Sequence, residues 1–183
     1  NFALYSPGLG YYRSNANIFG HQGDFITAPE TSDLFGYSVA KQCAQIISGG
    51  DVLEFGAGSG VLAVQVLFEL SRLKSLPKKY YIMELSGQLM QQQKQTIASV
   101  LPEFFDRVEW LTELPTDFSG VVIANEVLDA IPAKRLIFSG GRFVELGVDF
   151  VDGIFQWKTL DEPYSNSSTA LPTICDEGYT TEV

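Results

Sequence analysis

Cysteine, histidine and positive charge are all scarce in this chain. Its 183 residues include 2 cysteines and 1 histidine. Two thiols as far apart as Cys43 and Cys175 build neither a disulfide framework nor a zinc site, so no metal is expected. Cys43 falls on the apolar face of a predicted helix, where an unreactive core thiol is the expectation. Lys and Arg number 12 against 22 Asp and Glu, a net charge of −10. That balance argues against a nucleic-acid partner, because such proteins draw most of their affinity from cations that neutralise phosphates. An acidic surface suits a basic substrate, and it suits plain solubility equally. Long hydrophobic runs are missing too. The longest, Val61 to Leu70, is broken by Gln65 and Glu69 and falls short of the roughly 20 residues a bilayer span needs. No membrane insertion is expected. No basic-then-apolar leader opens the chain, so nothing points to secretion.

What is present is an ordinary globular composition, 45% hydrophobic and 19% charged. A chain of this length buries roughly 70% of its unfolded surface and suits a sizeable core. Residues 1–31, rich in Gly, Tyr, Asn and Pro, read as a loop segment. Ser32 is placed to cap a helix running to about Ile47, with Phe35, Val39, Cys43 and Ile46 on its apolar stripe and Gly49-Gly50 as terminator. Strand and helix then alternate. Val52–Phe55 is a strand, Gly56–Gly60 a tight turn, and Val61 to about Leu76 a helix apolar nearly all round. Tyr80–Leu85 is a strand, Ser86–Val100 a glutamine-rich helix, and Val108–Leu111 and Val121–Ala124 are further strands. This alternation predicts an α/β fold with a parallel, Rossmann-like sheet over residues 32–134. Residues 135–183 change character. Arg135–Phe138, Arg142–Val148 and Ile154–Thr159 read as strands split by Gly140-Gly141 and Asp152-Gly153, both hairpin signals. Asp161–Val183 shows no clear period. A doubly wound sheet usually needs more than four strands, so its later strands are expected outside this chain.

The most informative segment is Glu54-Phe55-Gly56-Ala57-Gly58-Ser59-Gly60. Alternate glycines let the backbone turn off a strand and approach a ligand with no Cβ in the way. Dinucleotide enzymes set a pyrophosphate on the following helix through a G-x-G-x-x-G spacing. Here the spacing is one residue shorter, and Glu54 stands immediately before the turn. A carboxylate there repels a pyrophosphate and suits an ammonium or sulfonium group. Glu84, at the end of the second strand, is where an acid accepts hydrogen bonds from a ribose diol. Glu54, Glu84 and Asn125 all fall at carboxyl ends of strands, which together point to a nucleoside ligand. Beyond Asn125, Glu126 and Asp129 lie three apart and would share a face if a helical turn follows the strand. So placed, they suit a cation. Otherwise Asp129 caps the turn and Glu126 faces water.

These segments resemble the MidA family, whose mitochondrial members are respiratory complex I assembly factors. The resemblance is carried by Tyr5-Ser6-Pro7 with Gly10-Tyr11-Tyr12, and by Gly23-Asp24-Phe25-Ile26-Thr27-Ala28-Pro29-Glu30 running into Leu34-Phe35-Gly36. It continues in Glu84-Leu85-Ser86 and in Asn125-Glu126-Val127-Leu128-Asp129-Ala130-Ile131-Pro132. It implies a class I methyltransferase fold using S-adenosyl-L-methionine and, for mitochondrial members, protein arginine methylation during complex I assembly. By residue, it implies Glu54, Gly56, Gly58, Ser59 and Gly60 beside the amino-acid part of the cofactor and Glu84 on the ribose. Asn125 would lie near the transferred methyl, and Asp24 and Thr27 would be polar contacts on a closing loop. Glu126 and Asp129 are the candidate catalytic carboxylates. The partner implied is a protein bearing an arginine side chain, in the cytoplasm for bacterial members and the matrix for mitochondrial ones. Family members are longer, and Glu177–Val183 looks like a family segment cut midway. Two other readings stay open: a non-catalytic assembly protein that keeps the pocket, and a nicotinamide-dependent oxidoreductase, against which the short glycine spacing and Glu54 count.

Overall fold

Asp51–Phe55 (β1) can be covered on both faces because Val52, Leu53 and even Glu54 leave the solvent together. The structure, a computed structural model, describes residues 2–6, 8–11, 26–165, 171–173 and 175–183. β1 is flanked by Tyr80–Met83 (β2) and Gly120–Ala124 (β4), with Val108–Leu111 (β3) outside β2. All three pairings are parallel, in the order β3-β2-β1-β4. The chain therefore walks from β1 to β3 in one direction and returns to the other side of β1 for β4. Such a reversal leaves a crevice at the carboxyl ends of the strands, where open α/β sheets bind ligands. The expected α/β fold is present.

Short helices Phe2–Tyr5 (α1) and Ala28–Thr31 (α2) precede Asp33–Ile46 (α3), Val61–Arg72 (α4) and Gly87–Val100 (α5). The Ser32 hydroxyl caps α3 by accepting the Leu34 N–H at 3.2 Å. The buried face of α3 is Gly36, Ala40 and Cys43, continued by Ile47. Ile46, assigned to that stripe from the sequence, is 65% exposed, because the track that meets α4 runs one residue further round. Cys43 lies in the main core with Val52, Leu62, Val66, Leu70, Tyr80, Ile82 and Ile97. Burial pushes its thiol above the ordinary value. The helix expected to reach Leu76 stops at Arg72. Lys74 takes a left-handed φ of +55°, Ser75 N–H donates to Leu70 O at 2.9 Å and Lys74 N–H to Ser71 O at 3.0 Å. This paired closure satisfies the last carbonyls four residues earlier than the apolar pattern suggests.

The chain divides into two compact units, 1–130 and 131–183. The second is an antiparallel sheet of Arg135–Ser139 (β5), Arg142–Val151 (β6), Ile154–Pro163 (β7) and Thr180–Glu182 (β8), in the order β7-β6-β5-β8. Both expected hairpins form. Gly140-Gly141 has φ of +60° and +78°, and Asp152-Gly153 +52° and +82°, the doubly left-handed backbone that two-residue turns need. β6 and β7 run longer than their sequence signals, and β8 falls within the stretch that shows no period. Among the described residues, no helix is long and apolar enough to cross a membrane.

Candidate functional site

Gly56, Gly58 and Gly60 all sit at positive φ, +58°, +53° and +88°, a region in which side chains are strained. Gly60 is also closely approached. A Cβ there would stand 3.1 Å from the Cα of Gln93 on α5. The turn is pinned at its start by Gly56 N–H to Met83 O (3.0 Å) and closed by Gly60 N–H to Ala57 O (2.8 Å). The Ser59 hydroxyl accepts the Val61 N–H at 3.4 Å. The backbone of residues 56–60 is thus bent sharply at the end of β1, ahead of the α4 amino terminus.

The two acids meet there. In register, Glu54 lies beside Ile82, two residues before Glu84, so Glu54, Tyr80 and Glu84 fall on one face of neighbouring strands. Glu54 is 2% exposed and accepts the buried Tyr80 hydroxyl at 2.7 Å. Burial pushes its carboxyl up to about 7; the Tyr80 bond opposes that rise, and the nearby Glu84 charge adds to it. Burial likewise raises Glu84, while bonds from the Ser86 N–H and the Gln93 amide pull it back. Those bonds measure 2.8 Å to Oε1 and 2.9 Å to Oε2. None of the ion pairs among the described residues involves Glu54 or Glu84. Two buried carboxylates with no fixed cation make a site suited to a cationic, hydroxyl-bearing ligand and hostile to a pyrophosphate.

A third acid reaches the turn from α2. Ser59 Oγ donates to Glu30 Oε1. The segment is strapped to α4 by buried Gln65, whose Nε2 donates to Pro29 O and to Asp33 Oδ1, each at 2.9 Å. Its Oε1 finds no hydrogen-bond partner among the described residues and lies against Gly36, where a Cβ would stand 2.4 Å from it and 2.3 Å from Gln65 Cβ. Alanine is worth about 1 kcal/mol more than glycine in a helix, yet overpacking costs roughly 1–3 kcal/mol or more. With the collision on a Cβ, overpacking wins. Gly36→Ala is expected to lower stability by about 2 kcal/mol in urea unfolding. A variant as stable as the parent would show that α3 and α4 do not approach this closely. Thr27, half-buried, precedes α2 without a side-chain capping bond. Asp24 lies outside the described residues.

At the end of β4, Asn125 is half-buried, while Glu126 and Asp129 are exposed. The helical turn expected to align the two acids begins only at Leu128 and runs to Ala130, with Glu126 ahead of it at a left-handed φ of +52°. They do not share a helical face. The left-handed residue is what lets Val127 fold back toward Gly56, whose ideal Cβ position is 3.5 Å from Val127 Cγ2. Among the described residues no cluster of His, Cys, Asp or Glu is arranged to hold a metal. A cleft of about 800 Å³ lined by Asp51, Lys78, Asp117 and Ser119 opens at the amino ends of β1 and β4, the opposite edge from the glycine turn.

Tyr80, Gln93, Trp110, Glu30 and Gln65 escape the sequence reading. A signal existed for two of them. Gln93 lies four residues from both Leu89 and Ile97, on the apolar stripe of α5, and Gln65 interrupts an otherwise apolar helix. A polar residue on a buried stripe must find partners.

Comparison with known proteins follows the same lines. The family model described as "Putative S-adenosyl-L-methionine-dependent methyltransferase" matches residues 36–183. The chain is 31% identical over 174 residues to "Protein arginine methyltransferase NDUFAF7 homolog, mitochondrial" of Drosophila melanogaster, covering 80% of this chain and 39% of that protein. It is 34% identical over 161 residues to the Bos taurus "Protein arginine methyltransferase NDUFAF7, mitochondrial", covering 72% and 36%. Among solved structures, a Burkholderia thailandensis chain crystallised with S-adenosyl-homocysteine superposes with a TM-score of 0.78 at 38% identity, over 99% of this chain and 49% of that one. The chain thus spans about two fifths of these curated relatives and half of that structure.

Proposed function

Because this chain belongs to the S-adenosyl-L-methionine-dependent methyltransferase family, we propose that its sheet edge binds S-adenosyl-L-methionine and that the whole protein methylates an arginine side chain of a protein partner. It is also the family that Gly23–Glu30 and Asn125–Pro132 resemble. The observation that carries the proposal is the pair of buried carboxylates, Glu54 and Glu84, beside a turn whose three glycines all take a left-handed φ. Their chemistry fits the cofactor: a charged acceptor for an ammonium group, another for a diol, and, among the described residues, no cation paired with either.

When bound, S-adenosyl-L-methionine supplies a methyl group activated on a sulfonium. The residues do the rest. Glu84 accepts the ribose hydroxyls, Glu54 balances the amino-acid end, and Gly56, Gly58, Ser59 and Gly60 bring the backbone close. Thr27 contributes a polar contact from the segment ahead of α2, and Asn125 borders the reacting end. Glu126 and Asp129 orient the acceptor guanidinium. An arginine has a pKa above 12, so removing its proton first at neutral pH would cost roughly 7 kcal/mol. Carboxylates avoid that cost by aligning the group through charge-assisted hydrogen bonds and taking the proton late, Glu126 from ahead of the turn and Asp129 from within it. The relatives' names place them in mitochondria. A mitochondrial source would therefore put the protein in the matrix, acting on a respiratory-complex subunit, and a bacterial source in the cytoplasm.

Calorimetric titration of the chain with S-adenosylhomocysteine and with NAD⁺ tests the reading. Saturable binding of the first and none of the second is expected. The reverse would replace it with the nicotinamide alternative.

A further inference from the structure

Gln93 stands in the middle of α5, fully buried, with its amide hydrogens committed. Its Oε1 accepts the Trp110 indole N–H at 3.0 Å. An indole only donates, so the amide oxygen must face it and the nitrogen must face away. On that side Nε2 donates to Glu84 Oε2 at 2.9 Å and to Gly58 O at 3.1 Å. Trp110 is itself held in place, with Lys94 Nζ 5.1 Å from its ring centroid and the Phe105 ring at 5.9 Å.

The consequence falls on Glu84. A carboxylate has about four acceptor positions. Ser86 N–H occupies one on Oε1 and the Gln93 amide one on Oε2. The Leu85 backbone N–H also bonds this carboxylate, so its plane is set, and the acceptor capacity that remains is what ribose hydroxyls can use. The same amide grips Gly58 O, so the glycine turn and the acid are tied to one rigid group. The Leu89–Gln93–Ile97 stripe would accommodate a leucine by volume, so packing alone does not call for an amide here.

We propose that Gln93 is a positioning residue for ribose recognition, holding the Glu84 carboxylate and the Gly58 carbonyl at one spacing so that the site selects a ligand with an intact diol. The proposal rests on reading this edge as an S-adenosyl-L-methionine site.

The test titrates the chain with S-adenosylhomocysteine and with its 2′-deoxy counterpart, comparing wild type, Gln93→Leu and Trp110→Phe. Wild type prefers the intact ribose by about 10-fold or more, the usual yield of a hydrogen bond to a charged group. In Gln93→Leu, affinity for the intact ligand falls about 10-fold and for the deoxy ligand about 2-fold, so the preference collapses. Trp110→Phe frees the amide to turn without removing it and shows an intermediate preference. A glutamine with only a structural role would weaken both ligands alike, so an unchanged preference in Gln93→Leu overturns the proposal. If Gln93→Leu does not fold, a full wild-type preference in Trp110→Phe overturns it instead. Wild type that binds neither ligand refutes the cofactor reading itself, and no variant is needed to see that.

Discussion

Replacing Glu54 with glutamine is expected to stabilise the protein above neutral pH and to strip it of cofactor binding. Burial lifts the folded-state carboxyl to about 7, whereas in the unfolded chain it titrates near 4.3. Between those values the folded state holds a proton that the unfolded state has released. Stability is therefore full below about pH 4, falls as pH rises toward 7, and levels off above it. The loss across that window is on the order of 3 kcal/mol. Glutamine has no proton to lose and still accepts the Tyr80 hydroxyl, so Glu54→Gln should flatten the slope and leave the variant more stable at pH 8. Ligand affinity moves the other way. Removing one partner of a desolvated charge pair typically costs 2–5 kcal/mol, so about 30-fold or more should be lost for S-adenosylhomocysteine. In wild type that affinity should weaken as pH drops below 7, because the proton must leave before a cation is received. Urea unfolding at pH 5, 7 and 8 with parallel calorimetry measures both effects. A variant that keeps the wild-type pH slope would show that Glu54 is ionised in the folded state.

The second large effect is expected at Glu126 and Asp129. Glu126→Gln with Asp129→Asn in the whole protein should abolish transfer of tritiated methyl groups to an arginine-rich peptide, by about 10²-fold or more, and leave S-adenosylhomocysteine binding unchanged. Backbone geometry supplies an independent handle. Glu126 occupies a left-handed conformation with φ of +52°, which costs a side chain about 1–2 kcal/mol that glycine escapes. Glycine's greater freedom in the unfolded chain returns part of that gain. Glu126→Gly should thus raise stability by roughly 0.5–1 kcal/mol and still lose transfer. Lys74 and Asp152 share that left-handed φ at a helix end and in a hairpin, so the stability gain reports the strain and the lost transfer separately reports the carboxylate. Unchanged turnover in the double variant would remove the carboxylates from the mechanism, and a less stable Glu126→Gly would remove the strain argument.

Much of this was legible because the signals are local. Alternate glycines after an apolar strand announce a tight turn, Ser32 and Ser86 announce helix starts, and Gly140-Gly141 and Asp152-Gly153 announce hairpins. Each depends on a few adjacent residues, and each formed where expected. Elements that depend on distant partners were not legible. β8 exists because Thr180–Thr181 pair with Ile137 and Leu136, residues more than forty positions away. α4 ends at Arg72 because Lys74 adopts a left-handed turn, against the pattern of the residues themselves. Ile46 turned outward because the position of α4, and not the periodicity of α3, chooses the buried stripe.

Chain order alone determined the alternation of strands and helices, the glycine turn, and the arrival of Glu54, Glu84 and Asn125 at one edge, since parallel strands joined by crossovers must end on the same side. Tertiary structure decided the electrostatics of that edge. Whether a carboxylate is solvated or buried, and which amide or hydroxyl it meets, depends on neighbours 26 residues away for Glu54 and Tyr80, and the amide that meets Glu84 also bonds a carbonyl 35 residues from it, Gly58 O. Hydrogen bonding and desolvation act over a few ångströms in space, and no reading along the chain measures that distance.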